Sequence, residues 1–400
     1  MHINTRVARF EAAPGDRCRP TSTPIYQTAT FEQDSALGFG EYDYSRSGNP
    51  TRTVLETQLA ELEGGRFGFA FSSGMTALST LLRATLDLRN QNSPATLIVG
   101  ADLYGGTTRL IESLVSSLGV DVQVVDTTDL AQVALALESI ANRHGLVLLE
   151  TPSNPLLRVT DIAEVARLAH AAGIALVVDN TALSPYLQNP LELGADVVVH
   201  SATKHLAGHG DLMAGALITN SDEISKAVGF LQNAEGTALA PFDSWLLLRG
   251  IKTLAVRLSY ECQSALAVAE FLADSGSVTH VHYPGLSTHA GHSLQAQQAR
   301  GFGQLISFET GDVTLSRRLC EETKLFTIAV SFGSANSTIS LPCHMSHASV
   351  PTEALVSGRV SSLPPDLVRI SIGLEDSRDL IADLESVLSP SSRMRSYSLP

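Results

Sequence analysis

The sequence predicts an α/β protein: a large domain built on a mainly parallel, doubly wound sheet, followed by a smaller C-terminal α/β domain. Three observations predict it. Short apolar, β-branched runs alternate with helical patterns from about residue 66 to 220. Several runs stop abruptly at a polar or charged residue, as strands do where they deliver side chains to a crevice. A long helical stretch from Phe242 through Leu272 then leads into a second set of short apolar runs.

The elements follow in order. Residues 1 to about 60 are punctuated by Pro20, Pro24, Gly38, Gly40, Gly48 and Pro50, which predicts a loop-rich arm lying on another subunit. Strands are expected at Phe67–Phe71, Thr96–Val99, Val122–Val125, Leu146–Leu149, Ile174–Val178, Val197–Val199 and Ala216–Ile218. Between them, helices are expected near Thr76–Leu86, Thr107–Leu118, Leu130–Asn142 and Ile162–Ala172, the last opened by the capping pair Asp161 and Glu164. Gly250 interrupts the long helical stretch, which bridges to the smaller domain. There Val278–His282, Leu305–Phe308, Thr327–Ser331, Ile339–Leu341 and Val368–Ile372 read as strands. The serine-rich tail from Ser389 is expected to be disordered. The division is therefore an arm at 1–60, a large domain with its linking helix at 61–275, and a small domain with tail at 276–400.

Composition narrows the function. A chain of 400 residues with 44% hydrophobic and only 17% charged residues suits a large enzyme that buries surface in subunit contacts. Its net charge of −14 argues against nucleic acid or an anionic membrane as partner. Cys18, Cys262, Cys320 and Cys343 are scattered without a C-x-x-C, as free thiols of a reducing compartment are. With no apolar run of transmembrane length and no apolar core in the first twenty residues, a cytoplasmic enzyme is expected.

The stretch Ala195–Gly215, ADVVVHSATKHLAGHGDLMAG, carries the chemistry. An apolar strand ends at Ser201-Ala-Thr-Lys204, which places a lysine at a crevice, where partial desolvation favours a nucleophilic amine. Alone, such a turn is a common surface feature. Upstream, the strand ending at Val178 is followed by Asp179-Asn-Thr. A carboxylate and a lysine at adjacent strand ends suit pyridoxal 5′-phosphate, the lysine carrying it and the aspartate keeping its ring nitrogen protonated. Ser73-Gly74-Met75, opening a helix after a strand, makes an anion cradle of backbone N–H groups. Arg369 interrupts an apolar strand, so it faces an anionic ligand or a buried acid. His200, His205 and His209 lack a completing ligand and lie among glycines, so no metal is expected. No G-x-G-x-x-G joins an early strand to a helix, which removes the nicotinamide reading.

Seven blocks in order carry a resemblance: Tyr44-Ser-Arg46-Ser-Gly-Asn-Pro-Thr, Ser72-Ser-Gly-Met75, Tyr104-Gly-Gly-Thr, Glu150-Thr-Pro-Ser-Asn-Pro155, Asp179-Asn-Thr, Ser201-Ala-Thr-Lys204 and Leu367–Asp376. The chain resembles the fold-type I, pyridoxal-phosphate-dependent family of Cys/Met metabolism from about Pro20 to Leu388. Phe230–Thr253 and Phe326–Pro351 look most like its plant-type cystathionine β-lyase branch. The resemblance implies that Ser73, Gly74, Met75, Ser201 and Thr203 hold the cofactor phosphate, with Tyr44 and Arg46 reaching in from a partner subunit. It implies that Tyr104 stacks on the ring and moves a proton near the leaving group, and that Asp179 and Thr181 flank the ring. Lys204 is the implied catalytic base and carrier, and Arg369, helped by Asn154 and the backbone at Ser331, grips the substrate carboxylate.

The implied reaction is β-elimination of L-cystathionine to homocysteine, pyruvate and ammonia, in methionine biosynthesis, by a homodimer or homotetramer with shared active sites. The alternative is γ-elimination or γ-replacement, as in cystathionine γ-lyases, methionine γ-lyases, cystathionine γ-synthases or sulfhydrylases. Val330 stands where cystathionine γ-enzymes often carry glutamate, and Gly106 where methionine γ-lyases carry cysteine. Both departures favour the β-reaction. For the distal end of the substrate, Glu235 is the one candidate.

Overall fold

The computed structural model describes residues 1–9, 17–38, 40–86, 95–112, 119–140, 144–345 and 363–389. Seven strands form the large sheet: β1 (Phe67–Phe71), β2 (Thr96–Gly100), β3 (Asp121–Val125), β4 (Gly145–Glu150), β5 (Ala175–Asp179), β6 (Val197–His200) and β7 (Gly215–Thr219). Their spatial order is β1-β7-β6-β5-β4-β2-β3. Strands β2 to β6 run parallel to one another, and β7 runs antiparallel to both of its neighbours, β1 and β6. The central strands are continuous Val/Leu runs because helices cover both faces, leaving Val147, Leu149, Leu176 to Val178, Val197 and Val198 with no exposed surface.

The helices are α1 (Ile3–Ala8), α2 (Pro50–Glu63), α3 (Gly74–Thr85), α4 (Gly105–Leu110), α5 (Leu130–Ser139), α6 (Ile162–Ala171), α7 (Ser184–Leu187), α8 (Asp222–Glu235), α9 (Pro241–Ile251), α10 (Leu254–Asp274), α11 (His292–Gln298), α12 (Val313–Glu322) and α13 (Ser377–Leu388). Residues 113–118, 141–142 and 390–400, for which the sequence predicts helix ends and a tail, lie outside the described residues.

Two expectations are corrected. The loop-rich arm does not extend to residue 60, because Pro50–Glu63 is a helix whose Leu55, Leu59 and Leu62 sit in the large-domain core. Asn49-Pro50 is a start signal: the Asn49 side chain accepts from the N–H groups of Thr51 and Arg52, and proline occupies the first turn. The long helical stretch breaks at Lys252–Thr253, not at Gly250. Gly250 stays helical and serves close packing, since a Cβ there would meet the Ala207 carbonyl oxygen at 2.3 Å. The helix thus presses on the loop after Lys204.

The second sheet comprises β8 (His280–His282), β9 (Leu305–Glu309), β10 (Thr327–Ile328), β11 (Thr338–Ser340) and β12 (Leu367–Ser371), in the order β10-β11-β12-β9-β8. Strand β10 stops short of the predicted Ser331 because that residue takes a left-handed φ of +86°. Helix α10 ties the two layers together. Its Leu254, Ala255 and Leu258 join the large-domain core, while Ala265, Val268, Ala269 and Leu272 pack with Phe308 and Ile370.

Candidate active site

Parallel pairing brings the carboxyl ends of β4, β5 and β6 side by side. Glu150 pairs with Asp179 across β4 and β5, and Asp179 with Val199 across β5 and β6. The three strand ends therefore deliver Glu150, Asp179 and the Ser201–Lys204 turn to one crevice. Burial pushes the Glu150 carboxyl well above its ordinary range, and the neighbouring Asp179 charge adds to this. Asp179 is also raised by burial, but Thr181 opposes the shift with its backbone N–H at 3.0 Å and its hydroxyl, as do the charges of His200 and Lys204. Of the two acids, Asp179 is thus the better placed to stay ionised.

Lys204 meets residues from the other layer. Its Nζ donates to Ser331 Oγ at 2.7 Å and stands 5.5 Å from the centre of the Phe332 ring. Desolvation, aided by the Arg369 charge and opposed by Asp179, lowers its amine to about 8. Arg369, in the middle of β12, is 3% exposed. It donates to Asn154 Oδ1 at 2.8 Å and to the Ser331 carbonyl at 2.9 Å, with its guanidinium 5.6 Å from the same Phe332 ring. The left-handed turn at Ser331 is what aims its hydroxyl at Lys204 while its carbonyl faces Arg369.

The anion cradle forms where α3 begins. Ser73 caps the helix, its Oγ accepting from the Thr76 N–H at 3.1 Å. Gly74 is required there, because a Cβ would lie 2.9 Å from both Cα and Cβ of Ser201. Met75 follows on the same turn, half-buried. The Ser201 N–H donates to Thr181 Oγ1 at 2.8 Å. The Thr203 hydroxyl exchanges hydrogen bonds with the Ala214 backbone, accepting from its N–H at 2.9 Å and donating to its carbonyl at 3.2 Å. Thr203 therefore braces the turn against Ala214.

Tyr104, 38% exposed, occupies the N-cap position of α4, and its N–H donates to Glu150 Oε2 at 2.9 Å. Gly106 makes room for that ring: a Cβ would stand 2.3 Å from Tyr104 Cε1. Tyr44 and Arg46 are exposed, the guanidinium 5.3 Å from the Tyr44 ring centre and bonded to Asn233 of α8 at 3.3 Å. Glu235 pairs with Arg83 at 2.8 Å. A cleft of about 420 Å³ lies between the 210–213 loop and Ala329 to Ser334, with Thr203, Val330 and Met213 on its walls. A larger cavity, about 670 Å³, is lined by residues of 128–159 and 273–294 and by none of the predicted site residues.

His200, His205 and His209 do not converge. They bond Glu63, Gln304 and the Ala207 carbonyl respectively. Among the described residues no group of three or more His, Cys, Asp or Glu is placed to hold a metal ion, and no helix is long and apolar enough to cross a membrane.

Residues 4–389 match the family model described as Cys/Met metabolism PLP-dependent enzyme. The chain belongs to that family. It is 50% identical to the chloroplastic cystathionine beta-lyase of Arabidopsis thaliana over 91% of this chain and 76% of the relative. With the corresponding protein of Mimosa pudica it shares 48% identity over 97% of this chain and 82% of the relative. The solved cystathionine gamma-lyase of Lactobacillus plantarum superposes with a TM-score of 0.90 at 39% identity, covering 97% of this chain and 98% of that one.

As a member of this pyridoxal-phosphate-dependent Cys/Met family, the chain presents residues that fit the cofactor. The close approach at Gly74, where a Cβ would stand 2.9 Å from Ser201, sets the first turn of α3 against the Ser201–Lys204 turn, and backbone N–H groups at such a helix start suit a phosphate. Lys204 has an amine low enough to be partly neutral near pH 8, beside the Asp179 carboxylate. Two site residues escape the sequence reading. Glu150 was legible as a charge ending the apolar run Leu146–Leu149, in register with Asp179. Phe332 gave no signal, since an apolar residue beyond a strand is usually core.

Proposed function

We propose that this chain is a pyridoxal-phosphate-dependent carbon–sulfur lyase that cleaves L-cystathionine by β-elimination, consuming water to give homocysteine, pyruvate and ammonia. The observation that carries it is the grouping of Lys204 and Arg369 around the Ser331–Phe332 turn, with the Asp179 charge acting on Lys204, in a chain so similar to cystathionine β-lyases.

The cofactor, when bound, supplies an electron sink for the charge left on the substrate α-carbon. Lys204 Nζ, lowered to about 8, takes the α-proton. Asp179 would hold the ring nitrogen's proton, its carboxylate fixed by the Thr181 N–H. Arg369, already oriented by Asn154 and the Ser331 carbonyl, grips the substrate carboxylate bidentately. Tyr104, partly exposed at the start of α4, would stack on the ring and pass a proton to the departing thiolate. Ser73, Gly74, Met75, Ser201 and Thr203 would cradle the phosphate.

Tyr44 and Arg46 complete a neighbour's phosphate site, so the active unit is a homodimer or homotetramer with shared sites. The arm then ends at Asn49, with the cofactor domain from α2 through α10 and the small domain after it. We place the enzyme in the cytoplasm. A γ-reaction is the second reading, supported by the likeness to a γ-lyase structure at a TM-score of 0.90. Incubation with L,L-cystathionine separates the two: pyruvate and homocysteine are expected, whereas 2-oxobutyrate and cysteine would mean γ-cleavage.

A further inference from the structure

The strand ends that carry the site residues also carry a second, buried polar set. Thr151 follows Glu150, Asn180 follows Asp179, and His200 precedes Ser201. Successive side chains on an extended backbone point to opposite sides, so these neighbours lie behind the crevice. Asn180 and His200 share one partner, Glu63, the last residue of α2, which has no exposed surface. Glu63 Oε1 accepts from His200 Nε2 at 2.6 Å and from Asn180 Nδ2 at 2.9 Å, and Oε2 accepts from Asn189 Nδ2 at 3.3 Å. Asn180 also donates to the Gln188 carbonyl at 2.8 Å. Gln188 in turn donates to Asn180 Oδ1 and to the Thr151 carbonyl, both at 3.1 Å. One carboxylate thereby ties the ends of β5 and β6 together, and through Gln188 the end of β4.

We propose that Glu63 is a positioning residue for the cofactor ring: by clamping Asn180 and His200 from behind the sheet, it fixes Asp179 and the Ser201–Lys204 turn relative to each other. A buried carboxylate is costly unless its oxygens receive donors, so a hub of this kind is retained only where every partner is held in place. The clamp acts on a charged neighbourhood. Asp179 faces Glu150, His200 and Lys204, and Glu63 faces His200 and the Arg300 guanidinium, which bonds Asn189 Oδ1 at 2.6 Å. The side chain of Arg6 closes the end of α2 through the Leu62 carbonyl. The inference rests on the reading of Asp179 as the partner of the cofactor's ring nitrogen.

The test uses full-length protein with pyridoxal phosphate and reads cofactor dissociation, the pH midpoint of its visible band and thermal stability. Supporting partners of metal ligands are worth about 10–100-fold in affinity, and a similar loss of about tenfold or more in cofactor affinity is expected for Glu63→Ala. The visible-band midpoint is expected to move with it, and Glu63→Gln, which keeps one acceptor oxygen, to fall between. His200→Gln, which keeps a donor toward Glu63, gives the same readout should Glu63→Ala fail to fold. A fall in melting temperature with unchanged affinity and midpoint would make the network structural only and overturn the proposal. Asp179→Asn serves as the control. If it too leaves band and affinity unchanged, the reading of Asp179 has failed; if it alters them while the Glu63 and His200 variants do not, the clamp alone has failed.

Discussion

Arg46 and Arg369 are both assigned to anions, yet the chain treats them oppositely. Arg369 lies in the middle of a strand with almost no exposed surface, and two partners fix its guanidinium before any substrate arrives. Arg46 is exposed on the arm, with one 3.3 Å bond to Asn233 and a stacked tyrosine. A buried guanidinium that is already oriented loses little entropy on gripping a carboxylate, whereas an exposed one gains most when a second surface desolvates it. On the proposed roles, the difference means that the carboxylate half of the site would be complete within one chain, while the phosphate half would need a second copy.

Variants of three site residues and the pH dependence of loading break or sharpen that contrast. The largest effect belongs to Lys204, common to both halves. Lys204→Ala should abolish turnover and the visible band of the loaded enzyme, while the cradle still retains some cofactor; a variant that keeps both band and turnover would remove Lys204 from its role. Next comes Arg369→Ala. Removing one partner of a buried charged contact costs about 2–5 kcal/mol, so kcat/KM should fall by roughly 30-fold to several thousand-fold with the cofactor spectrum close to normal. Loss of cofactor instead would make Arg369 a structural residue.

Cofactor loading should depend on pH with a definite sign. The Lys204 amine is depressed to about 8, and only its neutral form attacks an aldehyde. The rate at which cofactor-free enzyme takes up pyridoxal phosphate should therefore rise through about pH 8 and then level, by about a hundredfold from pH 6. Arg369 is the second cause of that depression after burial, so Arg369→Ala should move the midpoint upward; no movement would separate the two groups electrostatically.

The smallest effect tests the exposed arginine. Arg46→Ala and Lys204→Ala enzymes should each be inactive, yet a refolded mixture should recover about a quarter of wild-type activity. This follows because roughly half of the dimers would be mixed and would hold one intact site of two. If mixed dimers form and nothing is recovered, Arg46 serves its own chain's site.

Much of this protein follows from the sequence alone. Buried parallel strands must be continuous apolar runs, so β1 through β7 are legible within a residue or two, and so are the polar residues that end them. Lys204, Asp179 and the Ser73–Gly74 cradle are visible because each breaks a strongly apolar pattern at its end. Arg369 is visible because it interrupts one. The start of α2 was also written in the chain, but Asn49-Pro50 serves turns and helix caps alike.

Only the tertiary structure decided the rest, because those facts are relations between residues distant in the chain. Ser331 meets both Lys204 and Arg369 only because β10 stops at Ile328 and the backbone turns left-handed beyond it. Phe332, ordinary in sequence, becomes the ring shared by two cations. Glu63 is 137 residues from His200, and nothing local marks it as the carboxylate behind the site. Periodicity reports which face of an element is buried; it carries no information about which buried polar groups will find one another, and here that pairing sets the geometry of the site.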